Sequence, residues 1–331
     1  MNALTFRALR MLAHGDFRSG EAMARALGVS RASIWNALQA LDEIGIEVFR
    51  VRGRGYRLSE PLTLLDPQAI ELALGCVASY FNLEVLDRVD STNTLLMQRA
   101  AAGTASGTVV AAEWQTQGRG RRGREWHALP GATLTFSLLW RFAQGAGFLA
   151  GLSLAVGLAI ARAIARCGVQ DGGLKWPNDV IWRGRKLGGV LIEMHGDMLG
   201  PSAAVIGIGL NCRMPRSLLG RIDQPVVDLA TAANANVDRN AVLASVLREL
   251  HPVLTAFAKE GFAPLRTEWQ RCHLYHGKVV EVIMPDGGVV NGTVQGVADD
   301  GALLLTTGAG TLRLHSGDVS LRATTPAPVS A

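Results

Sequence analysis

The stretch 118–126 reads GRGRRGREW, four arginines and three glycines in nine residues, closing on a tryptophan. Such a run is a loop. Its glycines let the backbone approach a ligand closely and take up conformations closed to other residues. Its arginines are planar, permanently charged forks that match carboxylates and phosphates. Trp126 adds a flat face on which a base can stack. The loop is expected to be mobile when empty and to order around an anion. Alone, it would serve equally well as an arginine-rich nucleic-acid segment, so its setting in the chain decides.

At 331 residues the chain exceeds one ordinary core, and two or three domains are expected. Hydrophobic residues at 48% against 18% charged exclude a disordered chain. The formal charge of +5 permits an anionic partner without requiring one. Cys76, Cys167, Cys212 and Cys272 are far apart and form no CxxC pair. That argues against a zinc site or a disulfide scaffold and suits a reducing cytoplasm. No signal peptide is visible at the N-terminus. The apolar run 146–161 falls short of the ~20 residues a bilayer needs and holds three glycines, so it reads as a buried helix and no membrane partner is expected.

Residues 1–63 read as a small helical domain. A helix over 5–14 presents Phe6, Leu9 and Leu12 on one face; Ser19 caps a second helix with Met23 and Leu27. After Gly28-Val29, Ser30 caps a third helix with Ile34, Leu38 and Leu41, and residues 46–58 alternate as a hairpin turning at Gly53 and Gly55. Helix, helix, tight turn, helix and basic hairpin is the order of a winged helix-turn-helix. Arg31, Ser33 and Asn36 are placed on its DNA-facing helix, with Arg50, Arg52, Arg54 and Arg57 along the wing against phosphates. The plainer alternative is a three-helix interaction module with solvated charges.

Residues 64–270 read as mixed α/β, with helices over 90–101, 148–167 and 239–259 and strands near 108–116, 132–140, 180–182, 189–194 and 204–210. Residues 271–323 change to short alternating runs with Asp286-Gly287 and Asp300-Gly301 turns, the pattern of a small antiparallel barrel or sandwich. Residues 324–331, rich in Pro, Ala and Thr, are expected to be a disordered tail.

A second motif, Lys175-Trp176-Pro177-Asn178-Asp179, sets an ammonium beside a stiff Trp-Pro corner and amide and carboxylate groups; Arg185-Lys186-Leu187-Gly188-Gly189 comes soon after. An isolated KWP would be only core and turn. In combination with the 118–126 loop it points further. Gln115 with 118–126, then 175–179, then 186–189, then 207–211, preceded by Ser91-Thr92-Asn93, resemble bacterial biotin protein ligases in order and spacing. The resemblance runs from the winged helix to the last barrel and points to the bifunctional subclass, ligase plus biotin operon repressor. It implies an α+β multidomain fold: an N-terminal winged helix-turn-helix, a central mixed α/β biotin/lipoyl-ligase-like catalytic domain, and a small C-terminal SH3-like β-barrel.

That resemblance implies a two-step reaction with ATP and biotin as substrates and Mg²⁺ as cofactor. Biotin carboxylate attacks the α-phosphate of ATP, giving biotinyl-5′-AMP and pyrophosphate. A lysine of biotin carboxyl carrier protein, a part of acetyl-CoA carboxylase, then attacks the mixed anhydride, giving an amide and AMP. Biotin falls to Ser91, Thr92, Asn93, Gln115, Arg119, Gly120, Arg121 and Lys175. ATP and its adenylate fall to Arg119, Arg121, Arg122, Arg124, Trp126, Lys186 and Asn211. Lys175 and Arg121 are the catalytic pair, and Asn211 is the Mg²⁺ candidate. Asp179 either positions Lys175, holds a metal ligand or is a turn residue. In the family the adenylate is also corepressor: loops such as 118–126, 141–147 and 183–186 order, a homodimer forms by sheet extension, and two winged helices bind operator DNA.

Family recognition helices often carry Lys-His where this chain has Asn36-Ala37, which leaves a ligase whose DNA-binding domain no longer represses as an alternative. A lipoate-type ligase shares the central fold but differs in its glycine-rich signature. A nucleic-acid binder using the 118–126 loop would give 175–179 no task.

Overall fold

The structure, a computed structural model, describes residues 1–331 except 198–199, 221, 285–286, 316–319 and 324–331, and leaves out the side chains of 216–217 and 320–323. The tail expected to be disordered and Asp286 of the first Asp-Gly turn therefore lie outside the described residues.

The N-terminal domain is built from α1 (Ala3–Leu12), α2 (Gly20–Leu27), α3 (Arg31–Glu43) and the hairpin β1 (Val48–Val51) and β2 (Gly55–Leu58). Each helix starts on a side-chain cap: Asn2 accepts from Thr5 N, Ser19 from Ala22 N and Ser30 from Ser33 N. Phe6, Leu9, Met23, Ile34, Leu38 and Leu41 meet in one core, to which Leu129 and Met214 of the next domain also belong. Arg10 pairs with Asp87, and Arg213 Nη2 lies 2.9 Å from Glu60 Oε2, so the head is tied to the central domain.

After α4 (Pro67–Leu74) come β3 (Asn82–Val89), α5 (Thr92–Ala101), β4 (Thr108–Gln115), β5 (Thr133–Phe142), α6 (Leu152–Arg166), β6 (Gly172–Lys175), β7 (Asp179–Trp182), β8 (Arg185–Gly196) and β9 (Ser202–Asn211). Short helices α7 (Arg216–Leu219) and α8 (Leu229–Ala233), the long α9 (Arg239–Glu260) and α10 (Arg266–Cys272) complete this part. The seven strands order as β3-β4-β5-β9-β8-β7-β6, with β3–β4 parallel and the other pairs antiparallel.

Strand alternation divides the sheet into two faces. Val109, Ala111, Leu134, Phe136, Leu138, Ile206 and Ile208 join the main core with α6 and α9. Val110, Leu139, Ala203 and Val205 point the other way and meet Leu96 and Ala100 of α5. Gly207 and Gly209 share the parity of Val205, so the α5 face loses its side chains towards the end of β9. The site opens there. α9 is long and apolar enough to cross a membrane by length and composition alone, but Leu243, Leu247, Leu250, Leu254 and Phe257 are buried in the core.

The last domain is an antiparallel sheet of β10 (Val279–Ile283), β11 (Val289–Val297), β12 (Leu303–Thr307), β13 (Gly310–Leu314) and β14 (Ser320–Ala323), ordered β13-β12-β11-β10-β14. Trp176 Nε1 donates to Gly301 O at 3.0 Å and Leu274 N to Leu174 O at 3.0 Å, docking it on the edge strand β6.

At this junction His273 is buried against Trp269, with both ring nitrogens lacking a hydrogen-bond partner among the described residues. Burial, aided by His276 and Lys278, pushes its pKa down from 6.5 to about 4. The unfolded chain therefore binds the extra proton. Stability contributed by neutral His273 is complete above about pH 6.5 and is lost as the pH falls towards 4. About 3 kcal/mol is expected to go across that window. His273→Phe should flatten this part of the urea-midpoint profile; an unchanged acid slope would count against it.

Candidate active site

A cavity of about 380 Å³ lies on the α5 face of the sheet, walled by the 118–126 loop, the start of α5 and the strands β8 and β9. One set of its lining residues is neutral. Thr92 donates from N and Oγ1 to Gln115 Oε1, at 2.8 and 3.0 Å. Ser137 Oγ lies 2.6 Å from Asn93 Oδ1 and 2.7 Å from Thr92 Oγ1. Asn93 Nδ2 donates to Glu193 Oε2 at 2.8 Å. Ser91 starts the group because it caps α5, accepting from Thr94 N.

The same cavity is also lined by cations. Arg119, Arg121, Arg124 and Lys186 all line the cavity. The loop carrying the arginines is a small hairpin: Trp126 N donates to Gly118 O at 2.9 Å and Gly120 N to Arg124 O at 2.7 Å. Arg119 Nη2 lies 3.0 Å from Glu193 Oε1, and Arg121 Nη1 donates to Asn178 Oδ1 at 3.3 Å. Lys186 Nζ sits 2.6 Å from Asp179 Oδ1, both largely buried.

Two glycines shape this pocket by what they omit. A Cβ at Gly207 would strike the Asn93 amide, and one at Gly209 would strike the Trp126 indole. The indole therefore lies on the bare strand. Its Nε1 is buried without a partner among the described residues, an unmet donor at the cavity.

Of the residues expected at the site, Ser91, Thr92, Asn93, Gln115, Arg119, Gly120, Arg121, Arg124, Trp126 and Lys186 are brought together here. Three stand elsewhere. Lys175, expected at the reacting carboxylate, is absent from the walls; its Nζ lies 5.8 Å from the Tyr275 ring centroid, towards the C-terminal domain. Across the β6–β7 pair it faces Asp179, whose carboxylate instead meets Lys186. Arg122, at φ 59°, is exposed and lines no part of the cavity. Asn211 is also outside it: Nδ2 donates to Lys186 O and Val227 O, at 3.3 and 3.1 Å. Its amide nitrogen holds the Lys186 and Val227 carbonyls. No cluster of three or more His, Cys, Asp or Glu that could hold a metal occurs among the described residues. Mg²⁺ characteristically binds through one or two carboxylates with substrate phosphates, and Asp179 is the carboxylate beside Lys186. Asn178, named only within the 175–179 motif, lines the cavity, and Glu193 and Gln224 join the site without having been singled out from sequence.

On the head, Arg31 and Asn36 are exposed on α3, while Ser33 is engaged with the Ser30 hydroxyl at 2.9 Å. Ala37 is buried, so an Ala in place of His removes nothing from the outward face. Arg50, expected as a phosphate contact, is partly exposed and paired with Asp42. Arg57 is stacked between Phe17 and Phe49, at 4.9 and 5.4 Å, and Arg54 lies over Phe17 at 4.3 Å. Arg52 and Arg54 remain as exposed cations at the wing tip.

A cavity lined by neutral hydrogen-bonding side chains together with arginines and a lysine, in a chain with a helix-turn-helix head, is suited to a small acid and its phosphate-bearing partner. The models of three families match in the same order: an HTH domain over 5–57, the biotin/lipoate A/B protein ligase family over 85–211 and the biotin protein ligase C-terminal domain over 275–322. The bifunctional ligase/repressor BirA of Escherichia coli K12 is 37% identical over 323 residues, 97% of this chain and 98% of the relative. That of Bacillus subtilis is 30% identical, covering 93% and 95%. The biotin protein ligase of Aquifex aeolicus in complex with biotin and ATP superimposes with a TM-score of 0.63 at 30% identity, over 73% of this chain and 99% of the other. The chain belongs to the biotin protein ligase family, in its bifunctional ligase/repressor branch.

Proposed function

We propose that this protein joins biotin and ATP to biotinyl-5′-AMP and pyrophosphate, transfers the biotinyl group to a lysine of biotin carboxyl carrier protein, and uses the adenylate as corepressor of biotin-synthesis genes. One observation carries the reading: a single cavity is lined both by the neutral Ser91, Thr92 and Gln115 and by the cationic Arg119, Arg121 and Lys186, beside an indole. The ureido ring needs matched donors and acceptors, which the first group supplies. Carboxylate and α-phosphate meet at the second, where charge develops. No enzyme nucleophile is required; catalysis is positioning and charge stabilisation. Lys186 takes the role first expected of Lys175, because it is the lysine in the cavity wall. Trp126 carries the adenine, and Asn211 acts through Lys186.

Asp179 would hold a Mg²⁺ accompanying the phosphates of ATP, which would offset their negative charge. The chain works as domains 1–63, 64–270 and 271–323 in the cytoplasm. The adenylate-bound form is a homodimer by sheet extension. β8 supports this: its pairing with β7 stops at Gly189, while its register with β9 continues to Gly196. Residues 191–196 thus offer an edge for a second sheet.

Isothermal titration with biotin, with and without ATP and Mg²⁺, tests the reading. Biotin binding that tightens or turns over with ATP is expected; no biotin binding would remove it.

The loop must also shield the adenylate from water. Arg121 bridges it to Asn178 of the opposite wall. Arg121→Gly is expected to release adenylate and raise biotin labelling of bystander proteins by about tenfold, a loss of ~1.4 kcal/mol in retention. Labelling no greater than that by the unaltered protein would refute this role.

A further inference from the structure

We infer that Trp35 on α3 is a sequence-reading residue that contacts an apolar base edge, the thymine C5 methyl, in the major groove. The inference rests on the DNA-binding reading of the N-terminal domain. Trp35 comes directly after the buried Ile34 and faces outward, 49% exposed, while Ile34, Leu38 and Leu41 fill the core behind it. Among the described residues its ring makes no hydrogen bond and no ring contact, unlike Phe17 and Phe49, which are covered by arginines. It lies in the first turns of α3, the part of such a helix that reaches base edges. Arg31, one turn earlier, and Asn36 beside it share the exposed surface.

Charge explains why an apolar reader is wanted here. α3 holds one basic residue, Arg31, against Asp42 and Glu43, so phosphate attraction comes from the wing tip at Arg52 and Arg54. Phosphate contacts fix register but carry no sequence; base edges must be read separately. The thymine methyl is the one apolar feature that distinguishes bases in the major groove, and an exposed indole offers it a large dry contact. Asn36, an amide, suits an adjacent adenine.

The test selects bound duplexes from a random pool, using the full chain with biotin, ATP and Mg²⁺, then measures the selected site with thymine replaced by uracil at each position. The unaltered protein is expected to lose at least about fivefold in affinity at one thymine when its methyl is removed. Trp35→Ala should bind the thymine and uracil duplexes equally, with biotin transfer unchanged. Trp35→Phe should restore part of the difference. If Trp35→Ala keeps the full methyl preference, or no position of the site senses the methyl, the assignment to Trp35 is overturned while DNA binding stands. If the unaltered protein selects no duplex at all, the repressor reading falls and this assignment with it.

Discussion

Lys186→Ala is expected to slow biotinyl-5′-AMP formation by about 10²–10³-fold, the usual cost of removing one preorganised partner of developing charge. Lys186 is held for this on every side. Its N donates to Pro225 O at 2.9 Å, its O accepts from Val227 N at 3.0 Å, and Asn211 Nδ2 donates to the same oxygen. Its ammonium is fixed by Asp179 and faces the cavity. A charge placed before the reaction starts needs no reorganisation as the carboxylate and phosphate approach. Lys175→Ala is expected to cost less than this, since Lys175 is not among the residues lining the cavity. Pyrophosphate release with saturating biotin and ATP separates the two. A larger loss for Lys175→Ala than for Lys186→Ala would reverse the assignment.

That pair of lysines shows where sequence reading stops. The 175–179 motif was legible as part of a site only in combination with the 118–126 loop, and its Asn178 lines the cavity. Which lysine enters the cavity depends on the β6–β7–β8 register, where Lys175 faces Asp179 and Lys186 faces Ile181. No local pattern sets that. The helix-turn-helix was legible to the level of its caps, since Ser19 and Ser30 act on neighbours three residues away. Its charged surface was less so: Arg50 counts as a free cation until α3 brings Asp42 beside it. The neutral pocket was read through Ser91, Thr92, Asn93 and Gln115, whereas Ser137 and Glu193 arrive from strands β5 and β8. A single clue for a further buried group stood in the open: Glu113 is the one charged residue of the strand TVVAAEWQ.

Glu113→Ala is expected to destabilise the protein by about 3–5 kcal/mol, because it strands a buried guanidinium. Glu113 and Arg239 are 0% and 1% exposed, with Arg239 Nη2 at 2.6 Å from Glu113 Oε2. The pair also organises the chain between the head and the central sheet. Arg239 donates to Thr63 O from Nε and Nη2, at 2.9 and 2.8 Å, and to Thr133 O from Nη1 at 2.7 Å. Glu113 accepts from Leu65 N and Gly131 N. Losing the carboxylate leaves those two amides without a partner and the guanidinium without its counter-charge, each away from water. The desolvation of the charge, not the lost attraction, sets the size of the effect. The double variant Glu113→Leu with Arg239→Met is therefore expected to recover much of the loss, since no unpaired charge remains. Urea unfolding of the two single variants and the double variant measures this. A Glu113→Ala change within about 1 kcal/mol of the unaltered protein, or a double variant as unstable as both singles combined, would show that the pair acts otherwise.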